Sequence, residues 1–363
     1  MTGKEQGLPL MDLSAGIMPQ QRQVVERKLF SAYEALTKIQ ALELGTTPKK
    51  VVWRKDKVEL FHYTSAEQVP KTGPVLLVYA MVNRHNMMDI QSDKSFIRNL
   101  LAEGLDLFLI NWSYPAPDDK YITMDNYING YINDAVDFIR RSGGHQKVTL
   151  MGVCQGGTFS VIYSALHPEK VGNLVTLVTP INFHTEKDLL SKWAKYLNVD
   201  ALVDYYGNVP GQLLNVAFEN LKPMLKTNKY LTILNTSDQE AQLTNFLRME
   251  YWIADSPDQA GACFRQFIKD LYQQNKLFRG TMELGGKAVN LKNITMPLLN
   301  IYAEADHLVP PDSSIALNDL VASADKTLTK FSGGHIGVFV GSKSQKELAP
   351  GIGAWLRERG DHV

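Results

Sequence analysis

The chain has 363 residues, long enough for two or three domains or for one domain carrying an insertion, and its 44% hydrophobic and 21% charged content disfavours disorder, collagen-like repeats and fibrous architecture. Lys and Arg number 38 and Asp and Glu also 38, so the formal charge cancels and no global field draws the protein to nucleic acid or an acidic membrane. Two cysteines, Cys154 and Cys263, are too few for a stapled secreted scaffold, the first residues lack a basic region leading into an apolar stretch, and apolar runs such as Val75 to Met81 are too short to span a bilayer, so a cytoplasmic location is expected.

In chain order, apolar residues at Val25, Leu29, Tyr33, Leu36 and Ile39 share one helical face, and Gly45 followed by Pro48 stops that helix, giving an amphipathic lead-in over 1–49. Two β-type stretches follow, Val51 to Trp53 and Val58 to Tyr63. The turn Gly73-Pro74 then opens the run Val75 to Ala80, apolar on both faces as in a strand buried inside a parallel sheet. Further strand-like runs are Leu107 to Ile110, Val148 to Met151, Leu174 to Val178 and Leu298 to Tyr302, with Thr327 to Phe331 as a short late one. Helical patterns separate them at Lys94 to Ala102, Asp125 to Arg140 and Thr158 to Leu166, the last ended by His167-Pro168. This alternation predicts a doubly wound α/β sheet. It breaks after Thr179-Pro180, where 182–290 reads as helices and loops rich in aromatics such as Trp193, Tyr205, Tyr206 and Trp252.

At the end of the strand Lys147 to Met151 stands Gly152-Val153-Cys154-Gln155-Gly156-Gly157, with a helix directly after it. That is the form of a strand–turn–helix elbow holding its central residue on a strained turn, with glycines at 152 and 156 where a Cβ would crowd strand against helix. A helix amino terminus in front of Cys154 favours the thiolate. The bland reading of a lone cysteine is a small buried hydrophobe, and that reading is kept for Cys263, in the helical context Gly261-Ala262-Cys263-Phe264.

An elbow of this kind belongs to the α/β-hydrolase fold, which orders nucleophile, acid and histidine along the chain, the last two after late strands. Asp306 follows the strand Leu298 to Ala303 and is the expected acid, with Glu304 a weaker candidate; His335, in Ser332-Gly333-Gly334-His335-Ile336-Gly337, is the expected base. His85 and His307 lie close enough to site loops to line a pocket, and the remaining histidines read as structural. Oxyanion donors are expected from the backbone N–H of Gln155 and of Val82, in the loop after Val75 to Ala80. The expected organisation is therefore a hydrolase core over 50–181 and 291–363 and a mostly helical cap over 182–290.

A cysteine exchanges thioester for thioester at little thermodynamic cost and keeps the acyl group activated, which suits passing it to an alcohol. Cys154 with His335 thus suggests an acyltransferase using acyl-coenzyme A, and an aromatic lid suits keeping water from the acyl-enzyme. The alternatives are a cysteine-dependent hydrolase of the thioesterase or lactone type, and a non-catalytic scaffold on a decayed hydrolase fold.

The set Leu77 to Arg84, Asp125 to Ile132, Gly152 to Gly157, Phe246 to Glu250, Asp255 to Gly261, Phe264 to Asp270, Asp306 to Pro311 and Gly333 to Gly337 resembles the catalytic subunit of the two-component, class III polyhydroxyalkanoate synthases over nearly the whole chain. The resemblance implies polymerisation of (R)-3-hydroxyacyl-coenzyme A, chiefly 3-hydroxybutyryl, with Cys154 carrying the growing chain, His335 generating the thiolate and Asp306 helping to activate the 3-hydroxyl. It also implies a PhaE partner subunit, a homodimer or hetero-oligomer, residence on cytoplasmic polyester granules, and no cofactor, coenzyme A being part of the substrate and a product. Asn111-Trp112-Ser113 departs from the Asp-Trp-Gly that relatives often carry.

Overall fold

The computed structural model describes residues 44–63, 71–222 and 240–360; the amphipathic lead-in with Val25 to Ile39 lies outside them. Two compact units divide the chain. One is Met1–Leu42 with Met224–Tyr251, whose described part belongs to the helix Glu240–Ala254. The other, Glu43–Pro223 with Trp252–Val363, holds the central sheet and its crossover helices.

Its centre is an eight-stranded sheet. In chain order the strands are β1 (Lys49–Lys55), β2 (Val58–Tyr63), β3 (Pro74–Val78), β4 (Asp106–Asn111), β5 (Val148–Val153), β6 (Val171–Leu177), β7 (Leu298–Ala303) and β8 (Lys326–Phe331). Their order across the sheet is β1-β2-β4-β3-β5-β6-β7-β8, with β1 and β2 antiparallel and the rest parallel to one another. Burial explains the residue types. β3, β5 and β6 are buried at every position and are mostly apolar, because helices cover both faces; the polar Thr149, Asn173 and Thr176 among them are buried too, Thr149 and Asn173 bonded to each other and Thr176 to Asn300. Each large aliphatic side chain there contributes roughly 1.5–3 kcal/mol. The edge strands β1 and β8 instead alternate or expose charged residues, among them Arg54, Lys326 and Lys330, which discourages further strand pairing.

Helices α1 (Phe96–Ala102), α2 (Asn133–Gly143) and α3 (Gln155–Leu166) make the crossovers. α1 is capped by Ser95, whose hydroxyl accepts the Arg98 N–H. The helical pattern expected from Asp125 to Arg140 is in fact a wide-turned segment, Asn126–Ile132, running into α2. The wider turn aligns Tyr127, Tyr131 and Ile132 with the core. β3 is shorter than the expected Val75 to Ala80, because α3 closes on its end: a Cβ on Gly156 would lie 2.2 Å from the Val78 carbonyl oxygen.

Between β6 and β7 the described chain carries helices Leu189–Ala194, Val199–Tyr206, Gly211–Leu221, Glu240–Ala254 and Gly261–Gln266, a wide-turned segment Phe267–Gln273 and the short helix Lys276–Arg279. Cys263 is buried in this region, where burial pushes its thiol well above the usual range, so it is an inert core residue. The parallel register sets the site. Val78 pairs with Gly152, Val153 with Leu177, and Ala303 with Phe331, so the loops after β3, β5, β7 and β8 all leave from one edge of the sheet.

Candidate active site

Cys154 sits between β5 and α3 with φ 51° and ψ −123°, a conformation that costs a non-glycine residue about 1–3 kcal/mol. Two backbone bonds hold it there: its N–H donates to the Leu177 carbonyl at 3.0 Å, and its carbonyl accepts the Thr158 N–H at 3.1 Å. The neighbouring glycines leave no alternative, since a Cβ on Gly152 would meet the Gly157 Cα at 2.4 Å. The side chain is half-buried at the amino terminus of α3.

The loops after β7 and β8 continue the strand pairing beyond the sheet. Glu304 N–H donates to the Phe331 carbonyl and Ala305 N–H to the Gly333 carbonyl, both at 2.9 Å. That pairing brings Asp306 to His335, whose Nδ1 lies 2.7 Å from Asp306 Oδ2. Asp306 Oδ1 accepts the N–H groups of Leu308 and Val309, each at 2.9 Å, and its side chain is fully buried. The charge of Cys154 acts on the His335 ring, and with Nδ1 turned to Asp306 the nitrogen left for the sulfur is Nε2. Burial alone would lower the imidazole pKa, but the charges of Asp306 and Cys154 and the hydrogen bond to Asp306 outweigh it and raise it to about 10. Asp306 and His335 thus form a hydrogen-bonded pair at the carboxyl edge of the sheet, the edge from which the Cys154 elbow also leaves.

Glu304 points away from this path and pairs with Lys330 at the surface, at 3.1 Å. His307, next to Asp306, has its pKa lowered by burial and then by Lys222. His85 is buried edge-on against Phe61, its pKa lowered to about 3 by burial and by Arg84 and Lys49, which keeps it a neutral structural ring. Two buried phenols, Tyr79 and Tyr272, have their pKa raised first by burial, then for Tyr272 by the charge of Asp188, and for both by the charge of Cys154. Sequence reasoning had no periodic signal for either.

Gln155 is the first residue of α3, where a backbone N–H has no intrahelical partner. Its side-chain Oε1 accepts the Met81 N–H at 3.1 Å, tying the loop after β3 to the elbow. Val82 is half-buried in that loop, and among the described residues no protein acceptor takes its N–H. Among the described residues, no cluster of three or more His, Cys, Asp or Glu side chains could hold a metal ion, and no helix is long and apolar enough to cross a membrane.

Residues 73–342 match the family described as "alpha/beta hydrolase fold", and residues 30–100 match "Poly-beta-hydroxybutyrate polymerase (PhaC) N-terminus". The chain is 50% identical to the poly(3-hydroxyalkanoate) polymerase subunit PhaC of Allochromatium vinosum, over 96% of this chain and 99% of that one. The chain belongs to the poly(3-hydroxyalkanoate) polymerase subunit PhaC family. It is 48% identical to the subunit of the same name from Synechocystis sp., covering 88% of this chain and 86% of that one. A soluble variant of monoglyceride lipase from Saccharomyces cerevisiae shares the fold, with a TM-score of 0.55 at 14% identity over 88% of this chain and 98% of that one. This PhaC-family chain is therefore an acyltransferase built on an α/β-hydrolase frame.

Asn111, Trp112 and Ser113 make structural contacts at the end of β4. Asn111 Nδ2 donates to Glu59 Oε2 at 3.1 Å, and Trp112 Nε1 donates to the Tyr79 carbonyl at 2.9 Å. Ser113 has φ 62°, a left-handed conformation that glycine adopts without strain.

Proposed function

We propose that the chain polymerises (R)-3-hydroxyacyl-coenzyme A, chiefly the 3-hydroxybutyryl thioester, into polyester with release of coenzyme A, through a thioester on Cys154 in a Cys154–His335–Asp306 triad. The observation that carries this reading is the hydrogen-bonded Asp306–His335 pair on the same sheet edge as a strained cysteine, whose charge helps to raise the imidazole pKa, in a chain half identical to a named polymerase subunit.

His335 takes the thiol proton of Cys154, and the sulfur's electron pair attacks the thioester carbonyl. The resulting oxyanion is held by the backbone N–H groups of Gln155 and Val82. Its collapse expels coenzyme A thiolate, which recovers the proton from His335. In the next half-reaction His335 removes the 3-hydroxyl proton of an acceptor, whose oxygen attacks the acyl group and frees the sulfur. Asp306 acts through His335: one of its oxygens is committed to two backbone amides and the other to the imidazole. It holds the tautomer and strengthens the base that must deprotonate an alcohol. No separate cofactor takes part, coenzyme A entering with the substrate and leaving as product.

Residues 182–290 serve as a cap that limits water at the acyl-enzyme. A PhaE subunit, a homodimeric or hetero-oligomeric assembly and a cytoplasmic granule surface complete the proposal. The test is product analysis with (R)-3-hydroxybutyryl-coenzyme A. Insoluble polyester together with free coenzyme A supports it; soluble hydroxyacid as the main product replaces it with a cysteine-dependent hydrolase.

A further inference from the structure

The loop after β3 is gripped by a segment far away in sequence. Trp252 Nε1 donates to the Arg84 carbonyl at 2.7 Å, Asn83 Nδ2 donates to the Ile253 carbonyl at 3.4 Å, and Gln259 Nε2 donates to the Met81 carbonyl at 2.9 Å. Gln259 is itself anchored. It is 3% exposed, and its backbone exchanges two hydrogen bonds with Val209, at 2.8 and 2.9 Å. Met81 is thus held at both its amide positions, its N–H by Gln155 Oε1 and its carbonyl by Gln259 Nε2.

The Met81 carbonyl and the Val82 N–H belong to one peptide unit, and that unit is trans. In a trans peptide the two bonds point to opposite edges of one rigid plane, so fixing the carbonyl fixes the direction of the N–H. Gln259 takes the Met81 carbonyl on one edge, while the Val82 N–H on the other edge has no protein acceptor among the described residues.

We infer that Gln259 is a positioning residue for the oxyanion hole, aiming the Val82 N–H at the charge that develops when Cys154 attacks a thioester. The inference rests on the reading of Cys154 and Val82 given under Proposed function. As the sulfur's electron pair forms the new C–S bond, the carbonyl π pair moves onto oxygen, and a donor turned away from that oxygen stabilises nothing. Because Gln259 sits in the inserted segment between β6 and β7, a shift of that segment rotates the Met81–Val82 peptide and weakens the hole. The fit of the insertion is thereby coupled to the chemical step.

The experiment compares two reactions of the same thiol in Gln259→Met and Gln259→Glu, both of which keep the side-chain length and remove the amide donor. Acylation by (R)-3-hydroxybutyryl-coenzyme A in a single turnover forms an oxyanion. Alkylation by iodoacetamide displaces iodide at a saturated carbon and forms none. The expected result is acylation slowed about 10- to 100-fold, seen in kcat with little change in KM, and alkylation within about twofold of the parent. Unchanged acylation in a cooperatively folded variant overturns the inference. So does a parallel fall of both reactions in every folded variant, which marks Gln259 as a merely structural residue. Should Gln259→Met fail to fold, Gln259→Glu supplies the same comparison. Turnover surviving in Cys154→Ala overturns the underlying mechanism instead, so the two failures are distinguishable.

Discussion

His335 Nδ1 lies 2.7 Å from Asp306 Oδ2, while Asp306 Oδ1 is taken by the N–H groups of Leu308 and Val309, and the carboxylate is fully buried. Asp306 therefore sets the strength and orientation of the base. A thiol gives up its proton to a weak base far more readily than an alcohol does. Asp306→Asn is expected to slow chain elongation by about 10²–10⁴-fold and first acylation by clearly less. Rapid-quench measurement of coenzyme A release in the first turnover and in later turnovers separates the steps, and equal loss in both would mean that alcohol deprotonation is not the sensitive step.

The same pair sets a pH dependence of stability. The folded His335 pKa is raised to about 10, above its ordinary value of 6.5, with the charges of Asp306 and Cys154 and the hydrogen bond to Asp306 outweighing burial. A group of that kind contributes stability that is fully present below about pH 6.5 and lost as pH rises through about 10. Urea midpoints measured from pH 6 to 10 are expected to fall more steeply for the parent than for His335→Gln. Parallel slopes would show that the imidazole gains no proton affinity on folding.

Asp188 offers the opposite case. Its side chain caps the helix Leu189–Ala194 by accepting the Ser191 N–H at 2.8 Å, yet burial raises its pKa to about 6 against the pull of the Ser191 and Leu190 amides and Lys192. A raised carboxylate holds its proton more tightly in the folded state, so stability falls as pH climbs from about 4 through 6. Asparagine keeps the cap without the buried charge. Asp188→Asn is expected to stabilise the protein by about 1–2 kcal/mol at pH 7 and by nothing at pH 4, read from chemical denaturation at both values.

Ser113, at φ 62°, holds a conformation that glycine adopts freely. Ser113→Gly is expected to gain about 1 kcal/mol, a rise in melting temperature with no change in polymer yield. A lower melting temperature would show that the serine side chain contributes more than its backbone strain costs.

The parts of this molecule that its sequence reveals are those governed by local rules. The runs Val75 to Val78, Leu107 to Ile110 and Leu298 to Tyr302 are legible as strands because burial on both faces leaves them almost wholly apolar, Asn300 being the polar exception. Cys154 is legible because a strained elbow demands small neighbours, and His335 because glycines surround it. The end of β3 is not legible: α3 cuts it short at Val78 through a contact that depends on the packed helix. The wide turn at Asn126–Ile132 keeps an apolar spacing close to that of an ordinary helix. Gln259 is hidden most deeply, since its partner Met81 is 178 positions away and a single glutamine carries no periodicity.

The central claim is that the acyl group rides on Cys154, and mass analysis of the protein quenched in acid during turnover of (R)-3-hydroxybutyryl-coenzyme A tests it most directly. The account predicts a hydroxybutyryl mass increment, or a ladder of such increments, on the peptide containing residue 154, released by hydroxylamine and absent from Cys154→Ala. An adduct on any other residue, or coenzyme A release continuing in Cys154→Ala, would contradict it.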